Sequence, residues 1–231
     1  MTEAQLAIVT GTSRGIGRAA ALSLARRGLR LVAITRDADD HGGLVDACRS
    51  AGAPSVDVVP LDLSELENVE RVGNQLAERF GAPAVLIHNA GEVHRAKVEE
   101  LSLEAWERQL AVNLSAPFVL TRALLPRMLA KKQGRIVFVA SISSTLGTPR
   151  QSAYCASKWG IVGFMKSLAA EISDSGLMTA AVLPGSVDTK MLEGSGFPPR
   201  MKAEEVAHTL THFALDAPIA HNGAVIEMFG V

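Results

Sequence analysis

The sequence predicts an α/β protein built on a doubly wound, seven-stranded parallel sheet with helices on both faces. Short aliphatic runs alternate with longer amphipathic stretches, which is the pattern of strand–helix–strand units. Most of the runs are continuously apolar, as in strands that are covered on both faces. Apolar residues make up 48% of the 231 residues and aromatic residues only 4%, which is typical of an aliphatic core. The predicted strands are residues 6–10, 31–34, 56–60, 84–88, 136–140, 180–183 and 224–228.

Amphipathic stretches between these runs predict helices. They cover residues 15–27, 42–51, 65–80, 103–131, 152–174 and 203–215. The stretch 103–131 is long enough for two helices, with a break before Asn113. Glycine follows five of the stretches, where a left-handed residue ends the last turn: Gly28, Gly52, Gly81, Gly134 and Gly176.

The chain shows no repeat, low-complexity segment or linker, so we expect one domain over residues 1–231. The one loose segment covers about residues 185–202, where several glycines and two prolines give the composition of a short substrate lid.

Charge and composition exclude several classes of function. With 23 Lys and Arg against 24 Asp and Glu, the net charge is −1, so a nucleic-acid partner is not expected. Cys48 and Cys155 are too few for a disulfide scaffold, which indicates a reducing compartment. No apolar run is long enough for a membrane span, and the first strand begins too early for a signal peptide, so we expect a cytoplasmic protein. His208 and His212 lie one helical turn apart without a third ligand, so no metal site is expected.

A glycine-rich turn joins the first strand to the first helix, with the sequence Thr10-Gly11-Thr12-Ser13-Arg14-Gly15-Ile16-Gly17. Glycines at such a junction allow a tight turn, and they let backbone N–H groups approach a pyrophosphate at the helix N-terminus. The spacing G-x-x-x-G-x-G is a variant of the dinucleotide fingerprint. The Lys-Ser/Thr pair of a nucleotide triphosphate-binding loop is absent, which disfavours an NTPase.

Two arginines bear on which dinucleotide binds. An NAD-binding unit usually carries a carboxylate at the end of its second strand, but here Thr35 and Arg36 occupy that place. Arg14 lies in the glycine turn. Two guanidinium groups at a ribose 2′-phosphate favour NADP over NAD. The alternative is that both are solvated surface arginines. Asp37, which directly follows Arg36, keeps this alternative open.

Tyr154 and Lys158 are four residues apart in a predicted helix, so both side chains project from one face. A nearby ammonium favours the phenolate, and we expect it to lower the pKa of the tyrosine towards neutral pH. The alternative is a structural, partly buried tyrosine. Tyr154 is the one tyrosine in the sequence, which favours a chemical role.

Together these motifs resemble the short-chain dehydrogenase/reductase family over nearly the whole chain. Its compact members have a single-domain Rossmann fold. The matching segments, in chain order, are the glycine turn 10–17, Asp62-Leu63, Asn89-Ala90-Gly91, Asn113, Ser141, Tyr154 with Lys158, and the segment from Pro184 to Thr189.

The resemblance implies a role for each of these residues. Tyr154 would be the general acid or base, Ser141 would orient the substrate oxygen, and Asn113 would support a water that links Lys158 to solvent. Lys158 would lower the pKa of Tyr154 and hold the ribose of the nicotinamide. The remaining residues implied to bind the cofactor are Gly11, Ser13, Arg14, Gly15, Ile16, Gly17, Arg36, Asp62, Leu63, Asn89, Ala90, Gly91, Pro184, Gly185, Val187 and Thr189.

Ser143 and Ser144 compete with Ser141 for the catalytic role. The family spacing to Tyr154 selects Ser141, and it leaves Ser143 as a candidate for the substrate pocket. The other substrate candidates are Arg95, Arg150 and Met191. The arginines are suited to binding a substrate carboxylate. The alternative, which fits each of them equally well, is a solvent-exposed charge at the edge of the pocket.

The resemblance implies an NADP-dependent oxidoreductase for a small carbonyl or alcohol substrate, assembled as a homotetramer or homodimer through the helices near 103–131 and 152–174. Two alternatives remain. A 3-oxoacyl-[acyl-carrier-protein] reductase-like activity is weakened by the short segment 189–202 and by the ending from Ala224 to Val231, which lacks Asp-Gly-Gly. A non-catalytic NADP-binding sensor would be expected to have lost Tyr154 or Lys158.

Overall fold

The computed structural model describes residues 4–36 and 43–230 and shows a seven-stranded sheet in which every strand pairing is parallel. The spatial order is β3-β2-β1-β4-β5-β6-β7. This is the doubly wound fold that the sequence predicts. The strands are β1 (Leu6–Thr10), β2 (Arg30–Thr35), β3 (Val56–Pro60), β4 (Val85–His88), β5 (Gly134–Val139), β6 (Leu177–Pro184) and β7 (Ala224–Met228).

Seven α-helices connect the strands in this part of the chain. They are α1 (Gly15–Arg26), α2 (Leu44–Ala51), α3 (Leu66–Phe80), α4 (Leu103–Leu110), α5 (Ala116–Lys131), α6 (Ser152–Glu171) and α7 (Ala203–Thr211). The predicted ends differ by a few residues. The predicted start of α2, residue 42, lies outside the described residues, as does Asp37.

The helices form two layers, one on each face of the sheet. One apolar cluster packs α1, α2 and α7 against the sheet, and a second packs α3, α5 and α6 against the other face. Alternate side chains of each strand enter the two clusters. In β1, Ala7 and Val9 belong to the first and Leu6 and Ile8 to the second. This double burial explains why the strands read as continuous apolar runs.

The order in which strands are added to the sheet reverses between β1 and β4. Ala7 pairs with Val85 in the parallel ladder that joins these two strands. Successive strands run outwards from β1 on one side and from β4 on the other. Such a reversal leaves a crevice at the carboxyl ends of the two strands, where open α/β sheets bind their ligands.

The predicted break before Asn113 is a short π-helical segment. Residues Ala111–Ser115 continue α4 directly into α5, and the N–H of Ala116 bonds to the carbonyl of Ala111. One further prediction is wrong, because the left-handed residue after α5 is Lys132 and not Gly134. Gly134 already begins β5, where a side chain would meet Met128.

The predicted lid segment is anchored at its base. Val187 and Met201 form an isolated parallel bridge, and the N–H of Asp188 bonds to the carbonyl of Met201 at 2.8 Å. Between them lies a single 3₁₀ turn, Lys190–Leu192. The two ends of the segment are therefore bonded to each other.

None of the helices in the described residues has both the length and the apolar character needed to cross a membrane. Within the same residues no three His, Cys, Asp or Glu side chains are grouped so that they could hold a metal ion.

His88, at the end of β4, is buried against the helix layer that contains α5. Its Nε2 lies 2.9 Å from the Thr121 hydroxyl, and its ring stacks on Phe138 with centroids 4.9 Å apart. Burial lowers the pKa of His88 from 6.5 to about 3, so the neutral imidazole is the form that the fold accommodates.

We predict that His88 makes the fold sensitive to acid. Below about pH 6.5 the unfolded chain binds a proton at this residue and the folded chain does not. The free energy of unfolding should therefore fall with decreasing pH, by up to about 1.4 kcal/mol per pH unit from this group. His88→Asn should flatten this dependence in urea denaturation measured between pH 7.5 and 5. Thr121→Val, which keeps the imidazole, should retain it. An unchanged slope in His88→Asn would contradict the assignment.

Candidate active site

The carboxyl ends of β1 and β4 are joined by side-chain hydrogen bonds. The Thr10 hydroxyl accepts from the backbone N–H groups of Asn89 and Ala90, each at 3.0 Å. In return, Nδ2 of Asn89 donates to the carbonyls of Thr10 at 2.9 Å and Gly11 at 3.1 Å. These bonds fix the glycine turn relative to the segment that follows β4.

The glycine turn leaves no room for side chains on its inner surface. Gly11 has φ of 71°, and a Cβ there would lie 2.8 Å from Cα of Ala90. A Cβ on Gly17 would collide with the Gly11 carbonyl and the Asn89 amide. A Cβ on Gly15 would lie 3.1 Å from Cγ2 of Thr189. The turn thus brings bare backbone into the crevice between β1, β4 and the loop after β6.

The glycine turn also contacts the end of β2. The N–H groups of Gly11 and Thr12 bond to the carbonyl of Ile34 at 2.8 and 3.4 Å. Ser13, Arg14 and Arg36 are exposed on the outside of this junction, and Ile16 packs against the core below it. Both arginines therefore lie on the solvent side of the turn, which is compatible with a ribose phosphate partner and with the alternative of solvated surface arginines.

Asp62, after β3, is held by a network that reaches α4. Its Oδ1 accepts from the N–H and the hydroxyl of Ser64 at 2.9 and 2.8 Å, and Arg108 donates to its Oδ2 at 3.4 Å. Burial acts to raise the pKa of Asp62, but the Ser64 hydrogen bonds and the Arg108 charge outweigh it, and the pKa lies below its usual value. Leu63 is buried beside it. The carboxylate is therefore ionised and fixed in place.

Arg108 connects this carboxylate to a second one. Its Nε lies 3.2 Å from Oε1 of Glu92, which directly follows Asn89-Ala90-Gly91. Its Nη1 donates to the Ser64 hydroxyl at 2.8 Å. One guanidinium thus ties the loop after β3 to the loop after β4.

Tyr154 and Lys158 lie on the inner face of α6, as their spacing predicts, and both are buried. Nζ of Lys158 is 5.6 Å from the centroid of the Tyr154 ring, and it donates to the carbonyl of Val139 at 2.8 Å. The Ser141 side chain lies near enough to the Tyr154 hydroxyl to lower its pKa, and its own hydroxyl accepts from the N–H of Ser143 at 3.1 Å. The structure therefore brings Ser141, Tyr154 and Lys158 together.

The pKa of Tyr154 moves in the direction opposite to the expectation. Burial raises it above the usual 10, and the nearby Ser141 side chain and the charge of Arg95 only partly oppose this. Burial also lowers the pKa of Lys158 to about 8. The correction has a simple cause, because the ammonium is directed at the Val139 carbonyl and desolvation dominates both groups. At neutral pH, Tyr154 carries its proton.

Asn113 is fixed from two directions within the π-helical segment. Its Oδ1 accepts from the N–H of Glu92 at 2.9 Å, and its Nδ2 donates to the carbonyl of the same residue at 2.9 Å. Nδ2 also donates to the Ser157 hydroxyl at 3.1 Å. Asn113 therefore joins α4–α5, α6 and the loop after β4.

The groups converge around Gly91. A Cβ placed there would lie 3.3 Å from Oδ1 of Asn113, 3.6 Å from Nζ of Lys158 and 3.9 Å from Cε of Met191. The small residue thus leaves open space beside the catalytic candidates, and Met191 of the lid segment reaches that same space.

The loop after β6 closes the other side of the crevice. The N–H of Gly185 bonds to the carbonyl of Met228 at 2.8 Å, and Pro184 and Val187 are buried. The Thr189 hydroxyl donates to the carbonyl of Val187 at 3.3 Å. These bonds hold the loop next to the glycine turn, which Thr189 contacts at Gly15.

The four substrate candidates occupy different environments. Arg95 reaches the lid segment, where it donates to the carbonyls of Met191 at 2.8 Å and Glu193 at 3.2 Å. Ser143 is buried and lies 3.2 Å from the Thr148 hydroxyl. Arg150 is exposed, with φ of 63°, and its backbone carbonyl accepts from the N–H of Ala96. Arg95 and Met191 thus meet at the lid.

Sequence reasoning missed the residues that hold the site together. Thr10, Glu92 and Arg108 make the bonds described above. Gln109 is 1% exposed, and its Oε1 accepts from the N–H of His94 at 2.9 Å. A charged or polar residue within a mostly apolar segment indicates a buried polar contact. It does not indicate which residue makes the other half of that contact.

The residues present fit a dinucleotide. Gly11 and Gly17 let the glycine turn pack directly against Asn89 and Ala90, so that its backbone lies at the crevice without side chains in between. Oγ1 of Thr12 is buried and has no hydrogen-bond partner among the described residues, so the turn retains unused polar capacity. Asp62 at one end and Lys158 at the other supply a fixed carboxylate and a buried cation.

A glycine-rich turn in a crevice of this kind, at the point where the strand order of a parallel sheet reverses, is typical of the class of dinucleotide-binding α/β proteins. The model of the family described as short chain dehydrogenase matches residues 5–196. A 3-oxoacyl-[acyl-carrier-protein] reductase of Synechocystis sp. is 32% identical over 227 residues, covering 94% of this chain and 92% of that protein. A D-beta-hydroxybutyrate dehydrogenase of Rhizobium meliloti is 35% identical over 188 residues, with coverages of 81% and 73%.

A solved structure gives the same result. A putative NAD(P) dependent gluconate 5-dehydrogenase from Beutenbergia cavernae, with bound NADP at low occupancy, superposes with a TM-score of 0.88. It is 33% identical, and the match covers 98% of this chain and 95% of that one. The chain belongs to the short-chain dehydrogenase/reductase family, whose members are oxidoreductases that bind nicotinamide cofactors.

We predict that Arg108 supports dinucleotide binding, because it fixes both Asp62 and Glu92. Arg108→Gln should weaken NADPH binding by about 5-fold, which corresponds to about 1 kcal/mol. Titration of NADPH fluorescence measures this. Arg122→Gln is the matched control, since Arg122 forms a similar pair with Glu70 on the surface between α5 and α3. Equal affinities of Arg108→Gln and Arg122→Gln for NADPH would show that the Arg108 network has no part in binding.

Proposed function

We propose that the protein is an NADP(H)-dependent oxidoreductase that transfers a hydride between the nicotinamide and a carbonyl or secondary alcohol. The observation that carries this proposal is the burial of Tyr154 beside Ser141 and Lys158 at the crevice. A buried phenol, hydroxyl and ammonium in one cleft are suited to proton transfer at an oxygen atom.

In reduction, the Tyr154 hydroxyl donates its proton to the substrate oxygen. Its raised pKa keeps it protonated at neutral pH, so it is ready to act as an acid in this direction. Ser141 binds the same oxygen through its hydroxyl and fixes its orientation. In oxidation the roles reverse, and Tyr154 accepts the proton of the alcohol. A bound nicotinamide supplies or accepts the hydride.

Lys158 stabilises negative charge that develops on the Tyr154 oxygen. It is held by the Val139 carbonyl, which uses one of its three N–H donors and leaves two for other partners. Those donors and the space at Gly91 suit the ribose hydroxyls of a nicotinamide nucleotide. Asn113 fixes the segment around Gly91 through both backbone groups of Glu92, and we propose that it also supports the water-mediated path from Lys158 to solvent.

The remaining cofactor residues divide by the part of the dinucleotide that they would hold. The glycine turn and Ile16 would hold the pyrophosphate, Asp62 and Leu63 the adenine, and Asn89 and Ala90 the middle of the crevice. Pro184, Gly185, Val187 and Thr189 would hold the carboxamide end. Arg14, with Ser13 beside it, and Arg36 lie outside the turn, where a 2′-phosphate of NADP would be placed.

A second candidate is a 3-oxoacyl-[acyl-carrier-protein] reductase-like activity. The similarity to the Synechocystis reductase favours it, and that match extends over most of both chains. The short segment 189–202 favours smaller carbonyl substrates instead. A non-catalytic NADP-binding sensor is the third candidate, and measurement of turnover separates it from the other two.

We also propose that the protein assembles as a homodimer or homotetramer through α5 and α6. Phe118 on α5 is 43% exposed and Trp159 on α6 is 54% exposed, although both are large apolar side chains. Phe118 makes an edge contact with Phe164, which joins the two helices in one apolar surface. Helices with such side chains commonly pack against a second subunit.

The mechanism predicts that Tyr154→Phe abolishes turnover and leaves NADPH binding intact. Loss of the acid should reduce kcat by at least about 10³-fold with 3-oxoacyl thioesters, diketones, oxo acids and aldehydes as substrates. The rate is measured by NADPH absorbance and binding by its fluorescence. Cys155→Ala, which alters the neighbouring residue on α6, should retain activity. Turnover by Tyr154→Phe at the wild-type rate would refute the proposed acid.

The cofactor assignment predicts that the wild type uses NADPH in preference to NADH. Replacing Arg14 and Arg36 together by Ala should reduce kcat/KM for NADPH by about 10- to 100-fold and change the value for NADH by less than about 3-fold, because only NADPH carries the 2′-phosphate. Arg26→Ala, at the other end of α1, is the matched control. A wild-type preference for NADH would remove the role given to the two arginines.

A further inference from the structure

Arg95 is the arginine that approaches the catalytic residues. It follows β4 by a few residues, and its guanidinium donates to the carbonyls of Met191 and Glu193 in the lid segment. Met191 in turn reaches the space at Gly91, next to Nζ of Lys158 and Oδ1 of Asn113. The charge of Arg95 also acts on Tyr154, where it favours the ionised phenol. Arg95 is therefore bonded to the segment whose Met191 side chain enters the space beside the reacting groups, and its charge acts on Tyr154.

The guanidinium of Arg95 is incompletely paired. A guanidinium has five N–H donors, and the two lid carbonyls account for two of them. Its Nε is buried and has no hydrogen-bond partner within residues 4–36 and 43–230. Leaving a buried donor unpaired is unfavourable, and more so when the group is charged.

Three other arginines that pack between elements have a carboxylate partner, whereas Arg135 donates to neutral acceptors, the Ala217 carbonyl and the Met178 sulfur. Arg27 pairs with Asp216 at 2.6 Å, Arg79 with Asp57 at 2.7 Å, and Arg122 with Glu70 at 2.6 Å. Within the described part of the chain, Arg95 has no carboxylate within 4.0 Å. Its two hydrogen-bond partners among the described residues are neutral carbonyls, which do not compensate its positive charge.

We propose that Arg95 binds a carboxylate of the substrate, and that the protein acts on short oxo acids and the corresponding hydroxy acids. This inference rests on the proposed function, since it names the substrate class of the same site. The carboxylate would use the terminal N–H groups of the guanidinium that the two lid carbonyls leave free, one on each terminal nitrogen, which match its two oxygens. The ketone would then lie a few carbon atoms away, at Tyr154 and Ser141.

The lid contacts give Arg95 a second effect. Because the guanidinium also holds the Met191 and Glu193 carbonyls, a bound carboxylate would be linked through one side chain to the lid segment. The lid would thus be held more firmly when an acid is bound than when a neutral ketone is bound. Charge recognition and closure therefore act on the same substrate.

The test uses two substrates that share one ketone and differ in charge, acetoacetate and its methyl ester. The wild type should reduce acetoacetate with the higher kcat/KM. Arg95→Ala should lower kcat/KM for acetoacetate by about 10- to 100-fold, mainly through KM, and should change the value for the ester by less than about 3-fold. Arg95→Lys keeps the charge but not the planar guanidinium, so its kcat/KM for acetoacetate should lie between those of the wild type and Arg95→Ala.

Arg200→Ala is the matched control, since it removes an exposed arginine from the same lid segment to which Arg95 is bonded. The ratio of the two kcat/KM values should remain as in the wild type in this variant. Equal losses on the two substrates in Arg95→Ala would overturn the proposal, because a residue that only holds the lid affects both alike. A shift of the ratio in Arg200→Ala instead would also overturn it.

A direct binding measurement separates this proposal from the proposed function. If the wild type binds NADPH but reduces neither compound, the assignment of a carbonyl reductase fails for this class of ketone. The anion site is then measured by adding malonate to the enzyme–NADPH complex and following Tm. A malonate-dependent rise in the wild type that is absent in Arg95→Ala supports the carboxylate site. If malonate does not change the Tm of the wild type, or raises the Tm of Arg95→Ala by the same amount, the proposal is overturned.

Discussion

The site depends on the hydrogen bonds that join the carboxyl ends of β1 and β4. Thr10 accepts two backbone N–H groups from the β4 side, and Asn89 returns two bonds to the β1 side. They set the width of the crevice and place Gly91 opposite Asn113 and Lys158. A parallel sheet has no hairpin between these strands, so side chains and the buried ladder carry the alignment.

The sequence was sufficient to predict the sheet, its seven strands and the two helix layers. Continuous aliphatic runs and glycines at helix ends depend on local sequence. Strands lie at these runs in the structure, and most of the helix-end glycines have the positive φ that was expected. The interruption near Asn113 was predicted as a break but is π-helical, because the helix axis continues while Asn113 turns inwards to Glu92 and Ser157. The αL position after α5 went to Lys132, since Gly134 is needed where β5 packs against Met128.

The pairing of Tyr154 with Lys158 on one helix face follows from spacing alone, but their electrostatics do not. Burial depends on the whole fold, and it moves the pKa of Tyr154 upwards and that of Lys158 downwards. The Arg108 network and the partners of Arg95 were likewise hidden, because each joins segments that are far apart in sequence. Residue type indicated a charge at these positions, and only the fold showed which charges are matched.

The β1–β4 ladder also has a consequence for folding kinetics. Ala7 meets Val85 only after two strand–helix units have been completed between them. Contacts that close such long stretches of chain form late, because the loss of chain entropy precedes any gain. The crevice is therefore complete only after β1 and β4 have paired, which we expect to be a slow step. A nascent chain that has made only the glycine turn cannot hold the complete cofactor, and ligand binding selects molecules that have finished folding.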